Sequence, residues 1–218
     1  MKSLFLIIMF GIFSPESHQT RLSGYQADIK TIVYEDGSIS RTIALNLNPD
    51  VKESTRWKKD FFVKNGYHVE ERNQEDDFFI VASKVYTPSK ENGTQFNDEF
   101  SRISLQRQAD EFLYKEEFFT AFVMGEISAS DLKDDKPAAK LLLADTQYNF
   151  FTTMPGKIAG VSSGEFNKSA AHWNFDIEQL FNHASLEMAA TSTIARDEKV
   201  IWLIVWTGVL FVTIGVLF

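Results

Sequence analysis

The chain contains no cysteine. That excludes disulfides, thiolate catalysis, cysteine-based zinc sites and a lipid-modified cysteine anchor. An exported domain built this way must be stabilised by its own core, and the 20–199 segment is long enough to bury one. The absence points to a bacterial envelope protein rather than a eukaryotic ectodomain. Glycines are few, 11 in 218 residues, and no G-x-x-x-x-G-K occurs, so no phosphate loop is written. Positive charge is also short. The 22 Lys and Arg face 30 Asp and Glu, and a net charge of −8 disfavours nucleic acid or anionic lipid as a broad partner.

Metal-binding spacing is lacking as well. His18, His68, His172 and His183 form no H-E-x-x-H or H-x-H pair. The acidic runs Glu70, Glu71, Glu75, Asp76, Asp77 and Asp131, Asp134, Asp135 lack the D-x-D-x-D-G spacing of a calcium loop and read as solvated turns. No cofactor or metal is expected.

The two ends are apolar. Residues 200–218 carry no charge. As a helix rising about 1.5 Å per residue they reach about 28 Å, enough to cross a hydrocarbon core. Met1 and Lys2 precede an apolar stretch, 4–13, that Ser14 and Pro15 interrupt, which is the shape of a secretory signal. The expected organisation is a signal-like segment 1–19, an extracytoplasmic domain 20–199 and a transmembrane helix 200–218. This describes a single-pass membrane protein whose partners are the membrane and an envelope protein or lipid. A second reading stays open. Ala189, Ala190, Thr191 and Ser192, followed by a polar spacer and the apolar tail, also fit a GPI signal, and Asn92-Gly93-Thr94 and Asn167-Lys168-Ser169 are glycosylation sequons.

In the body, 28–35 alternates and Asp36-Gly37 follows. Ile39, Arg41, Ile43, Leu45 and Leu47 then share one face of a second run, which predicts a hairpin. Asn48-Pro49-Asp50 opens a helix with Val51, Trp57, Phe61 and Phe62 on its apolar stripe, and Asn65-Gly66 closes it. A second hairpin is predicted over 67–71 and 78–87, and a short strand over 103–106. The alternation of Phe112, Tyr114, Glu116, Phe118, Thr120 and Phe122 predicts a strand over 112–123, with a helix over 106–115 as the alternative. A short helix or strand edge is expected over 138–145, and strands over 148–153, 172–175 and 185–194. The fold class is α+β, a mostly antiparallel sheet with one or two packed helices.

Tyr34-Glu35-Asp36-Gly37-Ser38 with Arg41 is similar to the opening hairpin of many exported bacterial lipoprotein-like proteins. Three segments resemble the end of the LppM-like (DUF3153-type) domain family. They are Met154-Pro155-Gly156-Lys157-Ile158, Ala171-His172-Trp173-Asn174-Phe175-Asp176, and Leu186-Glu187-Met188 with Thr191-Ser192. In that family a Pro-Gly turn precedes a Trp-bearing strand, and a last strand leads into a transmembrane helix. The resemblance implies an envelope-facing module, linked in one branch to lipid or glycolipid binding, and carries over no catalytic residue. The chain departs from it in lacking the lipobox cysteine.

Two features bear on chemistry. Gly160-Val161-Ser162-Ser163-Gly164 matches G-x-S-x-G, with Asp176 and His183 following in hydrolase order. A nucleophile elbow needs a buried strand before the serine and a helix after it, and the polar residues after Gly164 read as a hairpin loop instead. The second feature is the 20 Phe, several in adjacent pairs. Strand neighbours face opposite sides, so each pair puts one ring on each face. The candidate apolar groove is Phe78, Phe79, Phe118, Phe119, Phe150 and Phe151. The expected function is a non-catalytic, membrane-anchored binding or envelope-assembly module. The alternatives are a lipid- or glycolipid-binding domain with an apolar cavity, and a serine hydrolase at Ser162.

Overall fold

The computed structural model describes residues 24–47, 56–74, 77–88, 95–120, 122–123, 125 and 134–194. The predicted signal segment, the apolar tail, the Asn48-Pro49-Asp50 helix start and the Asn92 sequon lie outside them. Among the described residues no helix is long and apolar enough to cross a membrane.

The first half runs β1 (Gln26–Val33), β2 (Ile39–Leu47), α1 (Arg56–Lys64), β3 (His68–Gln74) and β4 (Asp77–Tyr86). Then come β5 (Gln95–Asn97), β6 (Ser101–Gln108), β7 (Glu111–Phe119) and α2 (Lys136–Leu142). The chain continues through β8 (Gln147–Thr153), β9 (Lys157–Val161), β10 (Glu165–Asn167), β11 (Ala170–Asp176), α3 (Ile177–Asn182) and β12 (Ser185–Thr193). The fold is mostly β with few helices. Its strands form a seven-stranded sheet, β10-β11-β8-β1-β2-β4-β3, and a five-stranded sheet, β5-β6-β7-β12-β9.

Local chemistry explains the hairpins. Gly37 sits at φ 84 in the β1–β2 turn, and Asp36 Oδ1 accepts from the Ser38 amide at 2.9 Å and its hydroxyl at 2.6 Å. Gly66 at φ 77 ends α1, as Asn65-Gly66 predicted. The Asp176 side chain accepts from the Gln179 amide, and the Gln179 side chain accepts from the Asp176 amide, a reciprocal cap that starts α3.

The two sheets pack face to face. Phe118 on β7 meets Phe150 and Tyr148 on β8 with ring centroids 5.0 and 5.6 Å apart. α1 is held against the β3–β4 rim and the start of β6. Its Phe62 packs on Tyr67 and Phe100, and Lys64 pairs with Glu99 at 2.7 Å.

Several expectations need correction. The strand over 112–123 stops at Phe119, where the Thr120 amide turns to Ala184 O, and Phe122 and Val123 are helical and buried. Phe122 gains Trp57, Phe61 and Phe62 as neighbours at 5.2 to 5.4 Å, and that tertiary burial outweighs its strand propensity. The alternative helix over 106–115 is replaced by strand on both sides of a turn at Ala109 and Asp110. More than one or two helices are formed among the described residues: α1, α2, α3 and the helical residues around Phe122 and Val123. Most pairings are antiparallel, but β1 and β8 pair in parallel. The Ala189 to Ser192 stretch of the GPI reading lies within β12, paired to β7 on one side and β9 on the other. Cleavage there would cut a central strand.

Candidate functional site

The alternation that makes β2 and β7 also puts one charge from each into the core. Arg41 follows Ile39 and precedes Ile43 on the inward face of β2, and Glu116 lies between Tyr114 and Phe118 on that of β7. Arg41 Nη2 lies 2.7 Å from Glu116 Oε1, off the hydrogen-bonding direction. Among the described residues Arg41 Nε and Nη1 have no hydrogen-bond partner. The guanidinium lies 5.5 Å from the centroid of the Phe100 ring. The Tyr114 hydroxyl donates to Glu116 Oε2 at 2.5 Å.

A second group adjoins the first. Asp98 Oδ2 accepts from the Tyr86 hydroxyl at 2.6 Å and the Tyr67 hydroxyl at 3.1 Å, and the two hydroxyls are 2.8 Å apart. Asp98 Oδ1 accepts from the Ser101 amide at 2.8 Å, which fixes the β5–β6 turn. Lys84, inward on β4 beside Arg41, donates to Asn65 O at 2.7 Å and lies 4.6 Å from the Tyr86 ring and 5.2 Å from the Tyr67 ring. This group joins the rim of both sheets to the end of α1.

Burial governs the electrostatics. It pushes the Tyr114 hydroxyl well above its usual range, and the Glu116 carboxylate adds to the rise. Burial likewise raises Tyr67 and Tyr86, against a lowering by Arg41. Burial works against the Arg41 charge, but Glu116 and the surrounding tyrosines hold its pKa above the ordinary value. Burial, with help from Arg41, lowers Lys84 against an opposing pull from Asp98. The tyrosines are thus donors that stay protonated. The cluster offers a fixed buried charge, with spare guanidinium donors, inside an aromatic shell.

The structure separates the six candidate groove residues. Phe78, Phe118 and Phe150 point inward and are buried, while Phe79, Phe119 and Phe151 lie half-buried on the outer faces. Phe118 borders a small apolar void with Ile29, Phe62, Phe100, Phe122 and Tyr148. That void is about 10 Å³, space for about one water. Phe151 stacks on His172 at 4.5 Å on the outer face.

Ser162 lies in the turn between β9 and β10, with a strand and not a helix after it. Its hydroxyl accepts from the Ala189 amide at 2.8 Å, and its carbonyl accepts from Trp173 Nε1 at 2.6 Å. Asp176 caps α3, and His183 Nδ1 is 2.9 Å from Gln179 O. Among the described residues no group of three His, Asp or Glu is placed to hold a metal ion.

The sequence places Arg41 on the apolar face of its run and in the opening-hairpin resemblance, but does not mark it as a buried charge. The available signal was a charge replacing an aliphatic residue on an otherwise apolar stripe, at Arg41 and again at Glu116. Nothing local indicated that the two would meet.

No family model matches the chain, and no curated protein matches it. The chain is similar to a solved structure, the NMR structure of the folded domain of LppM from Mycobacterium tuberculosis. The identity is 10%, the match covers 83% of this chain and 94% of that one, and the TM-score is 0.43. Likeness at this level carries no functional argument.

Proposed function

We propose that the protein is a membrane-anchored, non-catalytic binding or envelope-assembly module whose two-sheet body lies outside the cytoplasm. One observation carries this reading. β12 is held between β7 and β9 up to Thr193, and the uncharged 200–218 run begins six residues after Ile194. A run of that length and composition is most stable in hydrocarbon, and the folded body is then tethered to it directly. The test is alkaline extraction of membranes and, on separate samples, protease treatment of cells whose outer envelope has been permeabilised while the cytoplasmic membrane stays sealed. The full-length chain is expected in the extracted membrane pellet, and its body is expected to be degraded in the protease-treated samples. Recovery in the soluble fraction overturns the anchor, and a protected body overturns the location.

A second reading, lipid binding inside the sandwich, draws on the spare donors of Arg41 close to an all-apolar aromatic shell. An anionic head group would satisfy Nε and Nη1, and α1 would have to move to admit a chain. Native mass spectrometry of the detergent-purified protein tests it, since a mass matching the bare chain removes the lipid.

A further inference from the structure

We propose that the end of the sandwich from which β12 leaves rests on the bilayer surface, with Ile32, Tyr34 and Val85 in contact with lipid and Phe166 at the margin. This rests on the reading of 200–218 as a membrane span.

Four turns define that end. The Ile194 amide donates to Asp110 O at 2.8 Å, so the last described residue lies beside the β6–β7 turn. Arg107 Nη1 donates to Glu35 O at 3.1 Å and ties the β1–β2 turn to the same place. Gly156 packs against the Thr193 and Ile194 backbone, and the Met154 amide donates to Ser169 O at 2.8 Å. These contacts bring in the β8–β9 and β10–β11 turns. Residues 195–199 alone separate Ile194 from the apolar run. Fully extended, five residues span at most about 18 Å. So short a tether keeps this end near the head groups whatever path it takes.

Apolar side chains are exposed at this end. Ile32 is 41% exposed, Tyr34 45% and Val85 67%. The register explains why they form one patch. Ile32 faces Ser40 on β2, and Ser40 faces Val85 on β4, so the three form a row across the outer face. Tyr34 follows Ile32 by two residues on the same face. Phe166 is exposed two residues before the Lys168 turn. Tyrosine, with an apolar ring and a polar tip, suits the head-group boundary. The nearby charges are mixed. Arg107, Lys157 and Lys168 stand among Glu35, Asp36, Asp110 and Glu111, so the contact is apolar rather than electrostatic. Leu141 on α2, 77% exposed, lies just before the start of β8, at the opposite end of the sandwich.

The cysteine-free chain allows clean labelling. Tyr34→Cys, Val85→Cys and, as the distal control, Leu141→Cys would each carry an environment-sensitive fluorophore. The full-length protein would be reconstituted in phosphatidylcholine vesicles containing a lipid with a nitroxide head group. Labels at 34 and 85 are expected to be quenched at least about twofold more than the label at 141, as interfacial insertion requires. Quenching is expected to persist at about 1 M salt, where the Debye length is about 3 Å. Protein that floats with the vesicles but is quenched equally at all three positions overturns the docking and leaves the anchor intact. Loss of quenching in salt overturns the apolar contact. Protein that does not float overturns the anchor, and the docking with it.

Discussion

Arg41 and Glu116, one from each sheet, meet at 2.7 Å in the middle of the sandwich, and neither side chain is more than 1% exposed. Removing two charges from water costs several kcal/mol each, so the pair gives no large net gain over apolar residues. It does make each partner depend on the other. It also links strands that have no backbone hydrogen bond between them.

Glu116→Ala should therefore destabilise the protein strongly, by about 3–5 kcal/mol, because it strands a buried guanidinium. The double variant Arg41→Met/Glu116→Leu should recover most of that loss or exceed the parent. Urea unfolding of the detergent-solubilised protein, followed by tryptophan fluorescence, measures both. A double variant as unstable as Glu116→Ala would show that the pair itself holds the sheets.

Alkaline pH should unfold the protein through its buried tyrosines. The folded state raises Tyr67, Tyr86 and Tyr114 above the ordinary value of 10.0, chiefly by burial. Above that value the unfolded chain loses protons that the folded chain keeps, so stability is full below about pH 10 and falls as pH rises further. The fall is at most about 1.4 kcal/mol per pH unit for each tyrosine. Lys84 runs the other way. Its folded pKa is lowered, so its contribution grows with pH until the unfolded lysine has titrated near 10.5. Urea midpoints between pH 9 and about 12 should decline more steeply in the parent than in Tyr114→Phe. Identical slopes would remove Tyr114 from the account.

The paired phenylalanines should differ sharply within each pair. Phe118→Ala empties a buried ring position against Phe100, Tyr148 and Phe150 and should cost about 3–5 kcal/mol. Phe119 is half-buried on the outer face, where Arg102 lies 5.6 Å from its ring. Phe119→Ala should cost about 1 kcal/mol or less. Equal losses would mean that the outer ring is covered by something that matters to stability.

Two glycines, Gly156 just before β9 and Gly160 within it, make a controlled comparison. Gly156 is at φ 76, and an added Cβ would strike the Thr193 carbonyl. Gly156→Ala should cost about 1–3 kcal/mol and loosen the start of β9 from β12. Among the described residues Gly160 has nothing within 4 Å of an added Cβ, and Gly160→Ala should be close to neutral. Amide exchange at Thr193, which stands opposite Lys157 of β9, would report the loosening, and unchanged protection in Gly156→Ala would contradict it.

Much of the fold was legible because its signals are local. Asp36-Gly37, the period of two in β2 and β7, and Asn65-Gly66 each act through residues a few positions apart. The strands β5, β9 and β10 were missed because three to five residues are too few to show a period. Phe122 was misread because its alternation continued past Thr120 while its packing did not.

The sequence alone determined which side chains share a face of each strand, because that depends only on alternation along the backbone. It also determined that residues 200–218 are too apolar to rest comfortably in water. Only the tertiary structure decided that β1 would lie parallel to β8, with Gln26 opposite Gln147, and that Arg41 would face Glu116. Such partners are joined by long stretches of chain. Their pairing is fixed by how the whole core closes, which no local pattern encodes.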